Sequence, residues 1–487
     1  MAPFKLDNIL IIYPKSETTL VQFGLNDETF TVPEFEIPTK IYKSIDNNNQ
    51  YFSTPEYRTY EIFPIRNGSI VNLNAFLQFL KLVYGSILSK IKNDNRNNDN
   101  NNSNNSNNNI ILPDLTNIPI FIISNYSWTN FQIEKIIQFS FEHLKFNNLY
   151  LLSNSLATTY ALISQPNSIV IDIGANHTDI VPIIDYISLN HLAYKLKFGG
   201  NHINKTLQKL LPQFNNETIE ILKKSNIFEV VNDDMKRLHN IGILSTPNDA
   251  SSGFGAEGDD LLDGSLNVVD IVTSNRDTRE ILAEREKLKN EKHKNVKNTE
   301  LEFNTFWDQN GNELPVGKER FQGCDDLISK ISEMVGFVMQ NVQDISKVKL
   351  AWDNIIITGA TSSIEGFKEG LLAQLIKDHL IIEPEEERNK REKELLDSLP
   401  NYKRNRNKFM DSSFVPNVEY SQVPNSIKLA KYPEYFPNWK KHGYAEIPFL
   451  GAQIVAKQIF THSRDVLYIT RERYEEVGPS CIWDIQL

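Results

Sequence analysis

The stretch SIVIDIGANHTDIVPI, residues 168–183, constrains the fold more than any other part of the chain. An apolar run, a short polar tip and a second apolar run, bounded by turn residues, read as a hairpin with deeply buried strands. NILIIYPKSETTLVQFGL, near the start, repeats the pattern. Further strand-like runs are IPIFIIS (118–124), NLYLLS and DNIIITG (353–359). They alternate with segments such as TNFQIEKIIQFSFEHLKF, NHINKTLQKLLPQF, FKEGLLAQLIKDHL and GAQIVAKQIFTH, whose apolar residues recur at helical spacing. One hairpin used twice among mixed strands and helices predicts an α/β chain of two related lobes with a cleft between them.

Length agrees, since 487 residues exceed what a single core usually supports. With 40% hydrophobic and 23% charged residues, the composition is that of a folded globular protein. The formal charge of −11 repels a phosphate backbone, so no direct DNA binding is expected and a protein partner is the better expectation. Two cysteines, Cys324 and Cys481, are too few for a disulfide framework or a zinc cluster and suit a reducing compartment. No run approaches the roughly 18 apolar residues of a membrane span, and the opening MAPFKLDNILIIYPK lacks a leader pattern, so a cytosolic or nuclear protein is expected. The cluster YKRNRNK (402–408) is compatible with nuclear import, though such clusters are more often plain solvated surface.

Three stretches break the globular texture. Residues 93–109, NDNRNNDNNNSNNSNNN, offer nothing apolar to bury and are expected to be a disordered loop. An insertion near 232–298 contains acidic, glycine-rich NDASSGFGAEGDDLLDG and closes in the charged TREILAEREKLKNEKHKNVKN. A third, near 383–412, pairs an acidic-to-basic helical stretch with a basic loop.

A hairpin tip that holds a triphosphate needs glycine for close backbone approach, hydroxyl or amide donors, and a carboxylate for hydrated magnesium. In the second hairpin Asp172, Gly174 and Thr178 fit those roles, around a tip of Ala175, Asn176 and His177. The first tip, Tyr13–Pro14–Lys15–Ser16–Glu17, supplies Ser16 but has no glycine, loses an amide at proline and adds a negative charge at Glu17. IIITGATSSIEGF (355–367) runs from strand through a small-residue turn into a helix, and Gly359 and Thr361 there could seat an adenosine or a phosphate. Each turn taken singly is read better as packing than as a binding site.

In order, these elements resemble the actin family. The hairpins match its two phosphate loops, IIITGATSSIEGF its adenosine loop, KFGGNHINKTLQKLL (197–211) the glycine turn and helix after the second loop, and GKERFQGCDDLI (317–328) the entry to the segment before the adenosine loop. ITRERYEEVGPS (469–480) is the closest match, to the family's ending. The resemblance implies two lobes with ribonuclease H-like cores: residues 1–164 and a return over 431–487 form one, and 165–430 the other. The opening and NTELEFNTFWDQNGNELPVGKERFQG look like the actin-related subunits of the SWI/SNF and RSC chromatin remodellers. That implies a nuclear scaffold forming a heterodimer with a second actin-related protein on a helix of the remodelling ATPase, together with a small accessory subunit and other remodeller subunits. The C-terminal region, with FLGAQIVAKQIF, is expected to give apolar contacts to that helix.

Carried over residue by residue, the resemblance weakens any catalytic reading. The first-loop aspartate falls at Tyr13, its glycines at Lys15 and Glu17 and the phosphate-binding lysine at Leu20, leaving only Ser16. The second loop keeps Asp172 and Gly174 but has Ala175 and Asn176 where an aspartate and a glycine are used. Asn154 and Asp179 stand where glutamine and histidine position the attacking water. A degenerate pocket without a cofactor or metal is therefore expected, Asp172 being held by nearby backbone amides. Residual ATP binding, an actin-like ATPase and a filament former are the alternatives.

Overall fold

The computed structural model describes residues 4–25, 30–46, 50–101, 118–162, 165–231, 298–384, 386–387, 390–391, 393–394, 422–462 and 467–485. The 232–298 insertion except Asn298, most of the 383–412 insertion and the Asn-rich tract beyond Asn101 lie outside the described residues. The chain divides into two compact units, one of Met1–Gly199, Phe337–Ser363 and Tyr432–Leu487, the other of Gly200–Gly336 and Ile364–Lys431.

The first unit opens with β1 (Leu10–Pro14), β2 (Thr18–Phe23) and β3 (Phe35–Pro38). A small sheet of β4 (Ile41–Ser44), β5 (Tyr51–Phe52) and β6 (Thr59–Ile62) follows, then a hairpin of β7 (Ile65–Arg66) and β8 (Ser69–Ile70). Next come α1 (Leu73–Asn101), β9 (Pro119–Ser124), α2 (Asn130–Glu142), β10 (Asn148–Ser153) and α3 (Asn154–Ala161). β11 (Ser168–Ile173), β12 (Thr178–Ile184), β13 (Ile187–Ser188) and β14 (Tyr194–Leu196) continue it. The second unit contains α4 (Gly200–Leu210), α5 (Asn216–Lys224) and the hairpin β15 (Asn304–Trp307) to β16 (Glu313–Val316). β17 (Ile355–Thr358) and β18 (Ile469–Thr470) return to the first.

Two larger sheets share a plan. One runs β18-β10-β9-β1-β2-β3; the other runs β13-β12-β11-β17, with β14 also on β12. In each, an antiparallel hairpin (β1–β2, β11–β12) has a parallel strand on the far side of its first member, β9 on β1 and β17 on β11. Sequence accounts for this placement, because β1 is buried throughout and β11 nearly so, as unbroken apolar strands with neighbours on both edges require. Both expected hairpins are thus present. The six-stranded sheet draws on residues 1–164 and 431–487 and the five-stranded sheet on 165–430, whereas compactness groups both sheets in the first unit.

The six-stranded sheet closes its core against α1 and α2, with Phe76, Leu80, Ile136 and Phe141 fully buried. Thr129 and Gln132 form a reciprocal capping box that fixes the start of α2. α1 runs on to Asn101, so the Asn-rich tract opens as helix rather than as the loop expected from residue 93. Once a helix is nucleated, each further residue adds a hydrogen bond without a new nucleation cost. Among the described residues, no helix is long and apolar enough to cross a membrane.

Candidate functional site

All six sequence-nominated residues, Ser16, Asp172, Gly174, Thr178, Gly359 and Thr361, fall in the first unit. The β11–β12 register pairs Asp172 with Asp179 and Ile173 with Thr178, leaving Gly174 to His177 as the tip. The Gly174 amide donates to the His177 carbonyl at 2.9 Å and closes the turn. Thr361 Oγ1 donates to the Gly174 carbonyl at 3.3 Å, which brings the third turn onto the second hairpin. Gly359 has φ +93°, and a Cβ there would stand 2.4 Å from the Ile173 carbonyl oxygen, so its backbone approaches β11 as only glycine permits.

The polar groups of these turns are spent on the protein itself. Thr178, fully buried, donates to the Phe198 carbonyl at 2.9 Å. Ser16 Oγ accepts the Gly68 amide at 2.8 Å. The Gly359 amide and Thr358 Oγ1 both reach the Ala445 carbonyl at 3.0 Å. On the first hairpin, Lys15 Nζ meets Glu446 Oε1 at 2.5 Å, and Leu20 is buried in the core.

Asp172 Oδ2 accepts a hydrogen bond from Asn154 Nδ2 at 3.1 Å. The partner is thus the side chain of Asn154, which opens α3 at the end of β10, where backbone amides were expected. Burial, then the charge of Asp179, pushes the Asp172 carboxyl up to about 6, against the pull of His177 and Lys15. Burial, reinforced by Asp172 and Glu446, holds the Tyr13 phenol well above its ordinary range. Asp172, Asp179 and Glu446 thus lend negative charge to the place where a triphosphate would need positive charge.

Asp179 is 2% exposed and turned away from any ligand role. Its carboxylate accepts from Asn125 Nδ2 at 3.0 Å and Tyr126 OH at 3.4 Å, with His177 Nε2 at 3.5 Å and Lys195 Nζ at 3.9 Å. Asn125, Tyr126, Lys195, Gly68 and Glu446 were not anticipated from the sequence. Only Asn67–Gly68 carried a local signal, the dipeptide of a two-residue hairpin turn.

No group of three or more His, Cys, Asp or Glu among the described residues could hold a metal ion. The nucleotide and magnesium characteristic of the resembled fold do not fit these residues. Glycines are absent from the first tip, its one cation is neutralised by Glu446, and the second tip offers one carboxylate already bonded to Asn154.

The actin family model matches residues 24–247. The SWI/SNF and RSC complexes subunit arp9 of Schizosaccharomyces pombe is 28% identical over 457 residues, 87% of this chain and 78% of that one. Residues 24–247 thus carry an actin domain. Other actin relatives match shorter stretches: actin-related protein 2 of Drosophila melanogaster is 36% identical over 101 residues, 19% of this chain and 25% of its own. Actin-related protein 4 of Mycosarcoma maydis is 34% identical over 74 residues, 15% and 14% of the two chains. The two sheets, each built on a hairpin and a parallel strand, agree with this α/β actin fold.

Proposed function

We propose that the chain is a non-catalytic actin-related subunit of a nuclear chromatin-remodelling complex of the SWI/SNF and RSC type. It pairs with a second actin-related protein on a helix of the remodelling ATPase, alongside a small accessory subunit, and supports nucleosome remodelling and transcription regulation by holding that assembly together. The observation that carries this reading is the similarity to the fission yeast arp9 subunit along 87% of the chain. The first hairpin supports the non-catalytic part: a buried Leu20 and a Lys15–Glu446 ion pair leave no free cation there to stabilise a leaving phosphate.

In this reading the partner helix rests on the C-terminal region. Phe449, Leu450 and Phe460 are fully buried and serve the core, while Val477, 49% exposed, presents apolar surface that a partner helix could cover. Purification of the tagged chain from nuclear extract at moderate salt, followed by mass spectrometry, tests the proposal. Stoichiometric recovery of a second actin-related protein and a remodelling ATPase is the expected result. Recovery of the chain alone, or ATP turnover by the purified chain, would overturn it.

A further inference from the structure

The first unit carries a set of polar contacts between its two large sheets that the nucleotide-type residues Ser16, Asp172, Gly174, Thr178, Gly359 and Thr361 do not account for. On the five-stranded side stand Asp179 of β12 and Lys195 of β14, opposite each other in the β12–β14 register. Facing them are the tip of the β7–β8 hairpin and the loop that leaves β9 of the six-stranded sheet.

Lys195 Nζ donates to the Asn67 carbonyl at 2.5 Å, Ser69 Oγ at 2.9 Å and Ser127 Oγ at 3.2 Å, and stands 5.6 Å from the centre of the Tyr126 ring. These are all three of the donors an ammonium has. Asp179 takes Asn125 and Tyr126 from the same loop. The receiving side is braced in turn: Ser69 Oγ and Ser127 Oγ lie 2.9 Å apart, the Ser127 amide donates to Asn125 Oδ1 at 2.9 Å, and Trp128 Nε1 donates to the Gly68 carbonyl at 3.0 Å. Asn67 and Gly68 have φ +50° and +73°, the left-handed pair of a two-residue turn. A Cβ on Gly68 would lie 2.8 Å from Asn125 Nδ2 and 3.3 Å from His177 Nε2, so the tip is seated against both sides of the junction.

We propose that Lys195 and Asp179 form a built-in clasp that fastens the five-stranded sheet to the β7–β8 tip and the β9 loop without any ligand. The proposal rests on the reading of the turns as a degenerate pocket and supplies what takes a bound ligand's place between the sheets. The clasp is conditional on both charges, because removing either leaves the other desolvated without the counter-charge 3.9 Å away.

Hydrogen exchange on the full chain, read by mass spectrometry with and without millimolar Mg-ATP, tests it. In Lys195→Met and in Asp179→Asn, amides of residues 66–70 and 125–128 should exchange at least about tenfold faster than in the parent, as local opening is released. The double variant should lose less than the sum of the singles. Should the single variants fail to fold, the milder Ser69→Ala/Ser127→Ala pair keeps the charges and is expected to speed exchange in the same two segments. Unchanged exchange there in Lys195→Met, or in the serine pair, would overturn the clasp. So would Mg-ATP restoring protection in Lys195→Met, because a ligand would then be doing the fastening. ATP turnover by the parent would sink the non-catalytic reading while leaving the exchange data to judge the clasp.

Discussion

Asp172 shows how a residue kept in type changes its work. Where a metal-bound phosphate would favour its charged form, here burial and Asp179 favour the protonated form, and the carboxyl is held near 6 against an ordinary 3.8. The folded chain therefore binds this proton more readily than the unfolded chain. Stability from this group falls as pH rises from about 4 to 6 and stays reduced above that window. Asp172→Asn retains an acceptor for Asn154 and removes the charge. At pH 7.5 it should stabilise the protein by on the order of 2 kcal/mol, with the gain shrinking toward zero as pH falls to 4. Denaturant titrations at several pH values check this; a variant less stable than the parent at pH 7.5 would show that the carboxylate has a cationic partner.

At the scale of elements, the hairpins were legible in sequence because their signal is local: apolar runs of strand length on either side of a polar tip. Every strand and helix named from periodicity has a counterpart, from Pro119–Ser124 to Ile447–His462. What could not be read was which side chains fill the turns. Glu446 meets Lys15 from 431 positions away and Lys195 meets Asn67 from 128, and nothing in a local pattern encodes such pairings. Asp179 stands where the resemblance puts a water-positioning histidine, and the fold makes it a structural acceptor for Asn125 and Tyr126.

The neck of the 232–298 insertion is another long-range product. Asn298 Nδ2 donates to the Ile227 carbonyl at 2.9 Å and to Glu229 Oε1 at 2.8 Å, which brings the two ends of the insertion together. Arg320, fully buried, donates from Nε to Asn298 Oδ1 and from its two terminal nitrogens to the carbonyls of Asn298, Leu301, Glu302 and Gly317. Replacing 232–297 with a flexible linker of about six residues should leave the denaturation midpoint nearly unchanged, because Asn298 is held to Ile227 and Glu229 by contacts outside that segment. Arg320→Met should destabilise by on the order of 3 kcal/mol, since it strands several buried carbonyls at once. Loss of folding on deletion, or a silent Arg320→Met, would show that the neck does not organise this region.

For the whole molecule, the decisive quantity is whether Mg-ATP shifts the folding equilibrium. A ligand that binds only the native chain adds stability that grows with its concentration, about 2.7 kcal/mol at a hundredfold excess over its dissociation constant. That response does not depend on turnover, so it also detects a pocket that binds without catalysing. A chain whose first hairpin is neutralised by Glu446 and whose hydroxyls at Thr178 and Thr361 are already donated to carbonyls gains little by exchanging those contacts for phosphate oxygens. The charge argument points the same way, since a net −11 and the carboxylates of Asp172, Asp179 and Glu446 oppose a polyanion. The melting temperature of the full chain should therefore stay the same, within measurement error, from zero to millimolar Mg-ATP, and the Glu446→Gln variant, which releases Lys15, should begin to respond. A shift of several degrees in the parent would instead require a nucleotide pocket that tolerates these contacts.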